Sequence, residues 1–100
     1  MSTDPAFRMT VQDVFSIKGR GTVVTGRIES GTLNVGDEIL VQGKSGSKTA
    51  MVNGIEMFRK VTDQARAGDN VGILLRDIGK EDIQQGDILT SSNFEFTWKP

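Results

Sequence analysis

The sequence predicts an all-β fold, a small closed antiparallel β-barrel of six or seven strands. Three observations carry that expectation. Short runs of β-branched and aliphatic residues recur along the chain, alternating with polar residues where one face meets water. Turn signals punctuate these runs, and each of Gly36-Asp37, Gly68-Asp69 and Gly86-Asp87 is followed by apolar residues. No pattern supports a helix of three turns, so helix content should lie well below the ~30–35% of an average domain.

The elements follow in order. Met1–Pro5 holds few apolar residues and reads as a solvated leader. Phe7, Met9 and Val11 then alternate with Arg8, Thr10 and Gln12, the pattern of a half-buried strand that bends near Asp13 and runs on into Val14–Ile17. Gly19-Arg20-Gly21 separates this run from Thr22–Gly26, which signals a β-hairpin. With a three-residue loop, Ile17 would face Val23 and Phe15 would face Thr25. Phe15, Ile17, Val23 and Thr25 then share one face, and Val14, Ser16, Val24 and Ile28 share the other. Both faces carry apolar residues, so something other than bulk water should meet the second one.

After the hairpin, each Gly-Asp pair should start a strand, Gly supplying the turn and Asp bonding the next backbone amides. The strands expected there are Ile39–Val41, Val71–Leu75 and Ile88–Leu89. Gly43–Lys48 reads as a flexible polar loop, and Thr49–Phe58 as a long strand with a bulge at Gly54. Ile78–Gln85 has room for one helical turn. Phe94, Phe96 and Trp98 alternate with Glu95, Thr97 and Lys99. They form either a last strand packing its aromatic face on the barrel or an aromatic docking tail for a partner. The expected organisation is a leader over 1–5, a barrel over 6–92 and a C-terminal strand or tail over 93–100.

Composition narrows the function. The 100 residues include no Cys, His or Tyr. That excludes thiol catalysis, disulfides and thiolate metal sites, and removes the most common general bases and metal ligands. No catalytic residue, metal ligand or cofactor is expected. The carboxylate pairs Asp37-Glu38 and Glu81-Asp82 sit in turn-like contexts and read as solvated charges. No run of about 18 apolar residues could span a membrane, and no signal-peptide pattern opens the chain, which predicts a cytoplasmic location; the barrel is expected to be a monomer.

The glycines around Arg20 do not cradle phosphate: a dinucleotide fingerprint needs Gly where Val24 stands, and a triphosphate loop needs Gly-Lys-Ser/Thr opening a helix. GTP binding is not expected of these residues. The net charge of −1 argues against general polyanion binding. Locally, residues 14–30 carry a net +2 and residues 77–100 a net −3. A contact with an anionic partner should therefore run through the hairpin side.

Three segments carry a resemblance. Asp13-Val14-Phe15-Ser16-Ile17-Lys18-Gly19-Arg20-Gly21-Thr22-Val23-Val24-Thr25-Gly26-Arg27 is similar to a stretch of the second domain of elongation factor Tu. So are Gly54–Lys60 and Ala67–Arg76, in the same order. The resemblance implies a barrel of the translation-factor domain II type, which in that family stands beside a GTP-hydrolysing domain, holds the 3′ end of aminoacyl-tRNA and contacts the ribosome. Implied partners are thus the aminoacyl-tRNA acceptor end, the ribosome and a GTPase domain in cis or in trans. No GTPase domain lies within this sequence, which reads as a cut-out second domain or a free-standing relative of it.

Position by position, the resemblance places a terminal-adenosine pocket on Ile17, Gly19, Val23, Glu56 and Leu74. It places the aminoacyl group against Asp13, Phe15, Thr25, Phe58, Arg59 and Asn70. Gly19 would let the base approach closely, and Glu56 would accept a hydrogen bond from the ribose 2′-hydroxyl. From the residues alone, Ile17, Val23 and Leu74 read first as barrel core, while Glu56 and Arg59 can be read as a surface ion pair and Arg20 and Arg27 as solvated charges. This sequence departs from the family at Gln12, commonly an acid, at Ser30, usually Arg, and at Asp77, usually Gly. The competing function is a protein-interaction barrel that has lost RNA binding.

Overall fold

Ten strands build the fold in the computed structural model, which describes residues 6–44 and 46–92. They are β1 (Arg8–Thr10), β2 (Asp13–Ile17), β3 (Gly21–Ser30), β4 (Thr32–Asn34), β5 (Glu38–Gly43), β6 (Gly46–Met57), β7 (Lys60–Thr62), β8 (Gln64–Arg66), β9 (Asn70–Arg76) and β10 (Ile88–Ser91). Six of them close a ring in the order β1-β10-β5-β6-β9-β3, with β3 returning to pair β1, and every pairing in it is antiparallel. Closure leaves no free edge in the ring itself. The expected single helical turn is a 3-10 turn at Lys80–Asp82.

The length of β3 sets the rest of the architecture. One edge of this ten-residue strand pairs β9 over Thr22–Arg27. Its other edge is shared, with β2 against Gly21–Thr25 and β1 against Ile28–Ser30. Between β1 and β2 the chain breaks at Val11-Gln12. There Val11 N–H donates to the Asp87 carbonyl at 2.9 Å, and Gly86 N–H to the Val11 carbonyl at 2.9 Å. β2 therefore peels off the ring and prolongs the β3–β9–β6 wall outward, with β7 doing the same on the far side of β6.

The inner face holds the core. Met9, Val24, Ile28, Ile39, Ile55, Ile73, Leu75 and Leu89 are all at most 1% exposed. Burying side chains of this kind stabilises the fold by about 1.5–3 kcal/mol each. Phe7, Met9 and Val11 all point inward, as their alternation predicts. The one buried polar side chain among the described residues, Thr22, donates its hydroxyl to the Ile78 carbonyl at 2.9 Å.

All three Gly-Asp pairs start strands, by a bond that runs backward along the chain. Asp37, Asp69 and Asp87 each accept, through Oδ2, from the backbone N–H three residues earlier (Asn34, Arg66 and Gln84), in each case at 2.9 Å. The expected forward bond is replaced because the turn curls the preceding amide over the carboxylate.

Two further expectations are corrected. Gly43–Lys48 is not a flexible loop: β5 and β6 continue into a tight hairpin in which Gly43 pairs Gly46. The β2–β3 register is two residues from the expected one, Phe15 facing Val23 and Ile17 facing Gly21, because the turn uses Lys18-Gly19-Arg20. An even slip preserves faces, so the grouping of Phe15, Ile17, Val23 and Thr25 stands. The count of six or seven strands holds for the ring, while β4, β7 and β8 are three-residue strands too short to show alternation. Two positions place the departures from the family: Asp77 has φ 69, a conformation glycine adopts without strain, and Ser30 Oγ donates to the Ala6 carbonyl at 2.6 Å. Met1–Pro5, Ser45 and the aromatic positions from Phe94 to Trp98 lie outside the described residues.

Candidate functional site

The side of the wall facing away from the core carries the site. Five strands, β2-β3-β9-β6-β7, lie side by side there, and their registers align outward side chains into rows. Phe15, Val23, Leu74 and Gly54 make one row, and Asp13, Thr25, Gly72, Glu56 and Val61 the next. A groove of about 310 Å³ runs between them, lined by Ile17, Arg20, Val23, Asn53, Gly54, Ile55, Glu56, Val61, Gly72 and Leu74. Its floor exists because two outward positions have no side chain. A Cβ on Gly72 would lie 3.8 Å from Val23 Cγ1, and one on Gly54 would lie 3.6 Å from Leu74 Cβ.

Four of the five large hydrophobic residues exposed among those described surround this groove: Phe15 (51%), Ile17 (39%), Phe58 (85%) and Val61 (76%). Such residues gathered on one face mark an interaction surface, whereas scattered ones would need no explanation. The reading of Ile17, Val23 and Leu74 as core is thereby corrected. Their neighbours Val24, Ile73 and Leu75 take the core, and alternation turns these three outward.

Of the residues assigned to an adenosine pocket, Ile17, Val23, Glu56 and Leu74 line the groove together. Gly19 does not. It sits in the adjoining hairpin turn with φ 77, and a Cβ there would meet nothing within 4 Å. The aminoacyl set spreads around one end of the groove. Asp13, Phe15 and Thr25 stand on β2 and β3, and Asn70 faces Arg27 beyond Gly72. Phe58 and Arg59 make the β6–β7 turn on the other side, since Met57 pairs Lys60. Arg59 has φ 56 and lays its guanidinium 5.1 Å from the Phe58 ring centroid. The ion pairs among the described residues are Arg8–Glu29 and Lys48–Asp82, so the surface pair expected between Glu56 and Arg59 is not made.

The carboxyls with displaced pKa values lie away from the groove. Hydrogen bonds from the Thr10 hydroxyl and the Arg8 guanidinium hold Glu29 below the usual carboxylate range. Lys48 and the Gly79 backbone N–H do the same for Asp82.

Sequence reasoning missed Arg20, Asn53, Gly54, Ile55, Val61 and Gly72 as lining residues. Gly72 was within reach, since it lies two residues from Leu74 and shares its face. Gly54 was not, because a register shift between Val52 and Gly54 inserts Asn53 and resets the alternation.

The outer wall of the closed barrel thus bears an apolar groove lined at one side by Glu56 and at another by Arg20. Residues 21–90 match the family described as Elongation factor Tu domain 2, and the chain belongs to that family. It is thus a β-barrel module of translation-factor type. The matched segment includes Val23, Thr25, Glu56, Phe58, Arg59, Asn70 and Leu74, while Asp13, Phe15, Ile17 and Gly19 precede it. No helix among the described residues is long and apolar enough to cross a membrane.

Proposed function

We propose that the outer groove binds the aminoacylated 3′ end of tRNA, as part of a translational GTPase that contacts the ribosome, with no chemistry performed by this barrel. One observation carries the reading: Ile17, Val23, Glu56 and Leu74, far apart in the sequence, line one apolar groove of about 310 Å³. Aliphatic walls suit the flat face of a base, and a carboxylate at the rim suits a ribose hydroxyl. Single-stranded RNA ends are recognised in this way, by base contact together with the 2′-hydroxyl. Arg59 and Asn70, beyond Glu56, would face the ester and the amino-acid side chain.

The isolated barrel should bind weakly. Base stacking on a side chain contributes about 1–3 kcal/mol, so the dissociation constant should be no tighter than roughly 0.1 mM. The test compares a short aminoacylated CCA mimic with its terminal 2′-deoxy analogue. The natural chain should prefer the ribose form, and Glu56→Ala should lose that preference while keeping the fold. Arg59→Ala should weaken both ligands equally. Equal binding of the two mimics by the natural chain would remove Glu56 from the role given to it.

A further inference from the structure

The bulge in β6 puts a reactive pair of residues into the groove. Val52 and Ile55 are both buried, so the two residues between them, Asn53 and Gly54, lie outward in succession. Val52 pairs Leu75 and Gly54 pairs Leu74, which leaves Asn53 as the extra residue with no partner on β9. Asn53 is exposed, and both residues line the groove.

An asparagine carboxamide can close a succinimide ring with the backbone nitrogen of the next residue. A bulky or β-branched successor crowds that nitrogen, whereas glycine leaves it open to close approach. Only one of the four asparagines in the sequence, Asn53, precedes glycine; Asn34 and Asn70 precede valine, and Asn93 precedes phenylalanine. Asn34 is restrained further, its Oδ1 accepting from Gln64 Nε2 at 2.9 Å. Regular pairing holds a strand extended and keeps the next nitrogen away from the carboxamide, and at the bulge that pairing is interrupted.

We propose that Asn53 is a site of spontaneous covalent modification, converting to aspartate and isoaspartate and so adding charge to the groove. The Gly54 nitrogen loses its proton and bonds to Asn53 Cγ, the Cγ–Nδ2 bond breaks, and Nδ2 leaves as ammonia. Solvent water then adds to either carbonyl of the ring and breaks its bond to nitrogen. Opening at Cγ gives aspartate. Opening at the main-chain carbonyl gives isoaspartate, whose chain runs through Cβ and Cγ. The sum is amide plus water to carboxylate plus ammonium, with no change of oxidation state.

The charged residues lining the groove are Arg20 and Glu56, one of each sign. The product carboxylate is ionised at neutral pH and tips that balance to an excess negative charge. An RNA end brings phosphates, so conversion should disfavour it through like-charge repulsion. That consequence rests on the function proposed above; the chemistry at Asn53 does not.

The test ages the natural chain at mildly alkaline pH in heavy-oxygen water and maps it by peptide mass spectrometry. Asn53 should gain labelled oxygen, and Asn34 and Asn70 far less. Gly54→Ala should suppress the conversion. No preference for Asn53 in the folded chain, or conversion that appears only when urea unfolds it, would overturn the proposal. The aged form, separated by ion exchange, and Asn53→Asp should both bind the aminoacylated CCA mimic about fivefold more weakly than the fresh chain, as one like-charge contact at roughly 4 Å in water would give. That margin should shrink as salt is raised. Equal binding at low salt would overturn the effect on the groove. If Asn53 converts but no form binds the mimic, the modification is upheld and the RNA-end reading fails. If the mimic binds while Asn53 stays intact, the outcome is the reverse.

Discussion

The β3–β9–β6 wall has two apolar faces, and they do opposite things. Inside, Val24, Ile73 and Leu75 are fully buried and interlock with Met9 and Ile28. Outside, their immediate neighbours Val23 and Leu74 are half-buried, beside a groove floored by glycine. Residue type does not separate these faces, since both are valine, isoleucine and leucine. What separates them is what lies opposite. The inner face is met by the rest of the ring, and within the described residues the outer face is met by nothing.

The glycines repeat the contrast. Gly26 on the inner face is where β1 crosses β3: a Cβ there would lie 2.5 Å from the Thr10 carbonyl oxygen and 3.0 Å from Met9 Cε. Gly72 on the outer face has ordinary space above it. One glycine lets the chain close, and the other leaves a cavity open.

Mutating adjacent residues breaks the comparison most sharply. Ile73→Ala should destabilise the barrel by about 2–5 kcal/mol, as deletion of a buried aliphatic does. Leu74→Ala, one residue along, should cost about 1 kcal/mol or less, because much of its side chain meets water already. Urea denaturation of the two variants measures both. Equal losses would mean that the outer face is core after all.

The glycine pair gives the next largest difference. Gly26→Ala forces backbone to move and should cost about 1–3 kcal/mol. Gly72→Ala should leave the denaturation midpoint almost unchanged, yet fill part of the groove and weaken binding of the CCA mimic. A Gly72→Ala variant with normal binding would show that the groove floor does not touch the ligand.

The sequence carried the fold further than the site. Alternation and the Gly-Asp pairs marked the ring strands because both reflect local backbone demands. The short strands β4, β7 and β8 stayed hidden, since three residues hold barely one period. At the site, the hairpin showed two apolar faces but not which was inside, which depends on ring strands far along the chain, β6, β9 and β10 among them. The bulge expected at Gly54 is present as the register shift between Val52 and Gly54. That the inserted residue is Asn53, which turns Gly54 onto the groove face, shows only in the pairing with β9.

The smallest effect concerns pH, and it separates the rim of the barrel from its walls. Glu29 is held below its ordinary value of 4.5 by Thr10 and Arg8. Below that ordinary value the unfolded chain binds more protons than the folded one, so stability rises with pH through the window. The contribution is present above pH 4.5 and is lost as pH falls through the lowered folded value. Glu29→Gln should flatten this part of the stability profile without changing ligand binding. An unchanged acid limb would mean that the Arg8–Glu29 pair is spent on solvent, as exposed pairs often are.

The most direct test of the two-faced wall is a nuclear-magnetic-resonance titration of the full chain with a short aminoacylated CCA mimic. Shifts should gather on Ile17, Val23, Glu56, Gly72 and Leu74, continue to Arg59 and Asn70, and leave Val24, Ile28 and Ile73 still. If millimolar mimic moves none of the groove residues in a folded barrel, RNA-end binding is contradicted. The groove then belongs to a protein partner.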